Sequence, residues 1–109
     1  MKSDQLYPKA TKEISEKRAA LVPEITEAFH NFSKAVFKEG ALSEKTKQLI
    51  AVAVAHVTQC PYCIRGHTAL AVRKGASNEE IMEAIWVASE MRAGAAYAHA
   101  ALAIDEMEV

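Results

Sequence analysis

The segment Cys60-Pro61-Tyr62-Cys63-Ile64-Arg65-Gly66-His67 holds the residue types of this chain best suited to chemistry. A Cys-x-x-Cys pair places two sulfurs within reach of a disulfide across one helical turn. If Pro61 is the first helical residue, Cys60 is the N-cap. Both thiols then lie where unpaired N–H groups and the positive end of the helix dipole favour thiolate. His67 follows Cys63 by four residues and shares its helix face. An imidazole so placed can accept a thiol proton or hold one near a leaving group. Arg65 adds positive charge, and Gly66 removes a side chain where a substrate or a neighbouring helix could come close. Thiol redox chemistry is the first expectation.

Other readings of these residues stand beside it. Two thiolates and one imidazole make three zinc ligands, but no second close pair supplies a fourth. Covalent haem attachment needs His directly after the second Cys, and Ile64 stands there. Two inert cysteines on a helix would leave the segment without chemistry. His56 precedes Cys60 by four residues, so it either lines the same pocket or interacts with its own helix end. Tyr62, between the cysteines, can donate a hydrogen bond. His99 and His30 read as structural, and Met82, Trp86 and Met91 as core residues.

The elements that position these groups are all helical. Only 4 Gly and 3 Pro punctuate the chain, and nothing alternates as a half-buried strand does. Residues 1–8 read as a polar arm and 9–20 as a charged helix. Pro23 suits a first helical turn, followed by Ile25, Phe29, Phe32, Val36 and Phe37 at helical spacing up to Gly40. Ser43 caps a helix from Glu44 to about Val57. Pro61 starts another that runs to Lys74, with Gly75 at its end. Ser77-Asn78-Glu79-Glu80 is a capping box ahead of Ile81 and Ile85. Gly94 is expected to interrupt this helix, leaving 95–104 as a separate segment that is apolar on nearly every side. The expected fold is all-α, five to six helices in a single domain over 1–109.

Composition narrows the function classes. The chain has 109 residues, is 50% hydrophobic and 25% charged, and carries a net charge of −1. That balance offers no polyanion surface, so nucleic acid is not an expected partner. No apolar run reaches the roughly 18 residues of a membrane span. The first eight residues contain no apolar signal region, which points to the cytoplasm. With 21 Ala in so short a chain, the core is expected to be completed by other copies, as a homo-oligomer.

Leu42-Ser43-Glu44-Lys45-Thr46-Lys47-Gln48-Leu49-Ile50, the Cys60–His67 segment and Gly75-Ala76-Ser77-Asn78-Glu79-Glu80-Ile81 together resemble the alkylhydroperoxidase D-like, carboxymuconolactone decarboxylase family, over residues 36–105. The chain is most similar in pattern to the small one-repeat, peroxidase-like members. The resemblance implies an all-α homohexamer, a trimer of dimers, that reduces a hydroperoxide with a dithiol reductant and no cofactor. It implies Cys63 as the attacking thiol, Cys60 as the resolving thiol and His67 in the proton relay. The helix dipole instead favours Cys60 as the more acidic thiol; His67, one turn from Cys63, tips the assignment towards Cys63. The family often carries Glu twelve residues before the first Cys, where this chain has Gln48. Two alternatives remain: a lactone decarboxylase like other family members, and a non-catalytic, redox-sensing oligomer.

Overall fold

Each helix begins at a residue whose own chemistry satisfies a backbone N–H or does without one. The computed structural model describes residues 6–109, which form five α-helices: α1 (Lys12–Leu21), α2 (Pro23–Phe37), α3 (Glu44–Thr58), α4 (Pro61–Arg73) and α5 (Asn78–Met107). They fall into two compact units, one ending at Lys38 and the other covering Glu39–Val109. Of the expected N-terminal arm, residues 1–5 lie outside the described residues, and Leu6 to Pro8 are non-helical.

In the first unit, Thr11 caps α1 by accepting from the Ile14 N–H at 3.2 Å. The helix therefore begins three residues later than its charge pattern suggests. Lys12–Glu16 and Lys17–Glu13 pair along its exposed surface. Val22 separates it from α2, whose Pro23 occupies the first turn, where a missing N–H costs nothing. Ile25, Phe29, Phe32 and Val36 share one face of α2, and all four are exposed.

The second unit carries the core. Ser43 accepts from the Thr46 N–H at 3.1 Å to start α3. At its far end Gln59 turns left-handed, with φ 57°, and its N–H closes onto Ala55. A non-glycine residue in that region is unusual. The bend makes the α3–α4 link just two residues long and delivers Cys60 to the α4 N-cap. Gly75, with φ +91°, ends the next turn, where an L side chain is strained. The Ser77–Glu80 capping box then forms in full, at 3.0 and 2.9 Å. Val52 of α3, Ala71 of α4 and Ile81 of α5 meet in the core, with Leu49, Ala76 and Ile85 packed against them. The partly exposed pairs Lys45–Glu80 and Lys74–Glu44 tie α3 to the other helices at their rims.

Two expectations are corrected. Gly94 does not interrupt α5, which continues for 30 residues, about 45 Å. A mid-helix Gly costs only about 1 kcal/mol relative to Ala, and the Ala residues on both sides are the best helix formers. Met82, Trp86 and Met91 are not core residues; all three are exposed. The packed face of α5 is instead Ile81, Ile85 and Ala88, the same period in a different phase. No helix among the described residues is long and apolar enough to cross a membrane.

Candidate functional site

Gln48 and His67 come from different helices and meet directly. Gln48 lies on α3 one turn before Val52, so the packing that buries Val52 also carries the amide inward, leaving it 5% exposed. Its Oε1 lies 2.8 Å from Nδ1 of His67, on the second turn of α4. An amide oxygen can only accept, so Nδ1 carries the hydrogen and Nε2 is the basic nitrogen. His56 is oriented in the same manner, with Nδ1 donating to the Val52 carbonyl at 2.7 Å along its own helix.

The two cysteines stand at the start of α4. Cys60 is half-buried, Cys63 is exposed, and neither is in a disulfide. The Cys63 N–H donates to Cys60 Sγ at 3.4 Å, so the cysteine itself is the helix cap. This backbone donor, together with the Cys63 thiol and the Tyr62 N–H, lowers the Cys60 pKa below the usual thiol value. Cys63 goes the other way. Its thiol is hydrogen-bonded to Cys60, and that bond, burial and the charge on Cys60 all raise its pKa. The more acidic thiol is thus the one the helix dipole favours.

The remaining sequence candidates contribute less. Tyr62 and Arg65 are both exposed on the first turns of α4. A Cβ at Gly66 would meet nothing within 4 Å, so no neighbouring helix of this chain uses the space. His99 and His30 are exposed. Among the described residues, no group of three or more His, Cys, Asp or Glu gathers as a metal site. Sequence reasoning missed Arg92, whose guanidinium donates to the Val57 carbonyl at 2.8 Å and so caps the end of α3 beside the Gln59–Cys60 link. Its one signal is a lone cation in a stretch of Ala, Gly and Met.

Comparison with known proteins places this geometry. Residues 23–106 match the model of the family described as "Carboxymuconolactone decarboxylase family". The "Uncharacterized protein 4 in cox locus" of Paracoccus denitrificans is 61% identical across 97% of each chain. A carboxymuconolactone decarboxylase family protein from Legionella pneumophila, crystallised in its apo form, is 38% identical over 90% of both chains, with a TM-score of 0.70. A crystal structure from Methanobacterium thermoautotrophicum gives 40% identity and a TM-score of 0.72, covering 76% of this chain and 93% of the other.

These similarities correct the expected thiol peroxidase. They are to the decarboxylase family as a whole and not to its alkylhydroperoxidase-type members in particular. The physical reason lies in the thiols. The Cys-x-x-Cys-x-x-x-His order is present in the sequence, but the influences on Cys63 are its hydrogen bond to Cys60, burial and the charge on Cys60, all of which raise its pKa. His67 spends its Nδ1 hydrogen on the neutral Gln48. With the peroxidase go the antioxidant and oxidoreductase readings and the redox-active disulfide.

Proposed function

From the premise that this chain belongs to the carboxymuconolactone decarboxylase family, we propose that it is an acid–base lyase acting on a small unsaturated lactone that bears a carboxylate. His67 is its proton-transfer residue and Gln48 the residue that positions it. The observation that carries this reading is the 2.8 Å contact between Gln48 Oε1 and His67 Nδ1. Nδ1–H donates to the amide whether the ring is imidazole or imidazolium. The ring can therefore gain and lose a proton at Nε2 without turning.

In the reaction, the bond between the ring carbon and its carboxylate breaks and CO2 leaves. The electron pair passes into the conjugated lactone carbonyl as an enolate. Imidazolium at His67 returns a proton to carbon, and water restores the imidazolium. Arg65 and the positive end of α4 supply the charge that attracts an anionic substrate. Neither thiol takes part.

The exposed apolar faces of α2 and of 95–104 support a homo-oligomer, and a hexamer built as a trimer of dimers is the assembly this reading takes. Tyr97 is 85% and Leu102 68% exposed in a single chain.

The test is CO2 release from a carboxymuconolactone by the purified protein. His67→Ala should lower turnover about 10²–10⁴-fold, as loss of a positioned acid–base group does. The double variant Cys60→Ser, Cys63→Ser should keep it. No turnover of any carboxylated lactone, or turnover that needs the thiols and not His67, would overturn the reading.

A further inference from the structure

The lactone chemistry leaves two soft nucleophiles unused. Cys60 and Cys63 hold their sulfurs hydrogen-bonded to one another at the accessible start of α4. We propose that the two sulfurs form a two-coordinate site for Cu(I).

The ligand set selects the ion. Thiolates prefer soft metals: Cu(I), Zn(II) or iron–sulfur clusters. Structural zinc takes four ligands, and iron–sulfur clusters are typically held by four cysteines. The whole chain has 2 Cys, and no further His, Cys, Asp or Glu joins them in a group among the described residues. Cu(I) has a filled d shell and is satisfied by two sulfurs in an open arrangement. Two residues one turn apart, with the Cys63 N–H already directed at Cys60 Sγ at 3.4 Å, offer that arrangement once both thiol protons give way to the cation.

Charge supports the same choice. Two thiolates around Cu(I) leave a net charge of −1, which is stabilised at a helix N-terminus. α4 has no acidic residue in its first turn, whereas the other four helices each have at least one. The Cys63 N–H already points at Cys60 Sγ, and Arg65 adds a cation nearby in sequence. On binding, two S–H bonds give up their protons to the buffer and two S–Cu bonds form. Copper enters and stays as Cu(I), so no electron moves.

The experiment titrates the reduced full-length protein with Cu(I) under nitrogen, in competition with bicinchoninate. One Cu(I) per chain should be withdrawn from the chelator, and X-ray absorption should show two sulfur neighbours. Cys60→Ser and Cys63→Ser should each lose this retention, while His67→Ala keeps it, which separates the site from the lactone chemistry. The proposal fails if the unaltered protein leaves copper with the chelator. It fails equally if the double serine variant retains copper, if copper binds at one per two chains, or if a nitrogen ligand appears in the absorption spectrum.

Discussion

α2 and α3 are both fifteen residues long, yet they use their apolar side chains in opposite ways. α2 carries four large apolar side chains, Ile25, Phe29, Phe32 and Val36, on one face and buries none of its residues. α3, built mostly from Val, Ala and polar residues, buries Gln48, Val52 and Ala55. Amphipathic spacing makes a helix, but small side chains decide which helix its neighbours approach closely. Val52 is fully buried because Ala71 faces it and leaves room.

Breaking the comparison calls for one truncation on each side. Val52→Ala should cost about 2–3 kcal/mol, lost transfer energy plus an unfilled cavity, measured by urea unfolding. Phe32→Ala removes more atoms but should change stability by less than about 0.5 kcal/mol in dilute solution. If copies associate through α2, the cost of Phe32→Ala should grow with protein concentration, since only association is weakened. Equal costs at the lowest concentration would mean that α2 is buried within one chain.

The polar side of α3 sharpens the contrast. Gln48→Leu keeps the volume and leaves the Nδ1 hydrogen of a half-buried imidazole without its acceptor, so it should cost about 1–2 kcal/mol. Gln48→Glu should instead move the pH profile of lactone turnover upward, because a carboxylate favours imidazolium. A profile unchanged in the Glu variant would separate Gln48 from the proton transfer. Ser77→Ala, at the start of α5, should cost about 1 kcal/mol in the same unfolding assay, as loss of an N-cap does.

The smallest effect is a difference between the thiols. Cys60, with its pKa lowered, should be alkylated by iodoacetamide at a lower pH than an ordinary cysteine, and Cys63 only at a higher pH. Cys63→Ala removes one of the donors to Cys60 and keeps the backbone one, so the Cys60 profile should move part of the way back up. Reversed order of alkylation, followed by peptide mass, would refute the direction of the hydrogen bond between them.

The starts of α2 to α5 were legible in the sequence because each is decided within four residues, whereas the Thr11 cap of α1 was passed over in favour of the charge pattern. Pro23, Ser43, Pro61 and the Ser77–Glu80 box act on their own backbone. The α5 break at Gly94 was misread because a single propensity was weighed without its Ala neighbours. Met82, Trp86 and Met91 were misplaced because periodicity sets the spacing of a buried face and not its phase; phase is set by α3 and α4. At the site, Gln48 could be located by counting back from Cys60, but not its partner, since His67 lies nineteen residues away on another helix. The peroxidase reading failed on a finer point. Spacing puts Cys63 near His67, and no spacing reveals that the Cys63 thiol is hydrogen-bonded to Cys60.

The continuity of α5 has a consequence for how the chain opens. Its buried residues, Ile81 and Ala88, both lie in its first half. Beyond Arg92 the helix depends on its own backbone bonds, and a free helix of about 15 residues is marginal in water. Its last turn contains Asp105 and Glu106 with no basic residue, charges of the wrong sign for the negative end of the dipole. Amide hydrogen exchange along α5 should therefore form a gradient, slow around Ile81 and Ile85 and progressively faster towards Met107, while α3 around Val52 exchanges only through global unfolding. Contact between copies over 93–107 would flatten that gradient, and dilution would restore it.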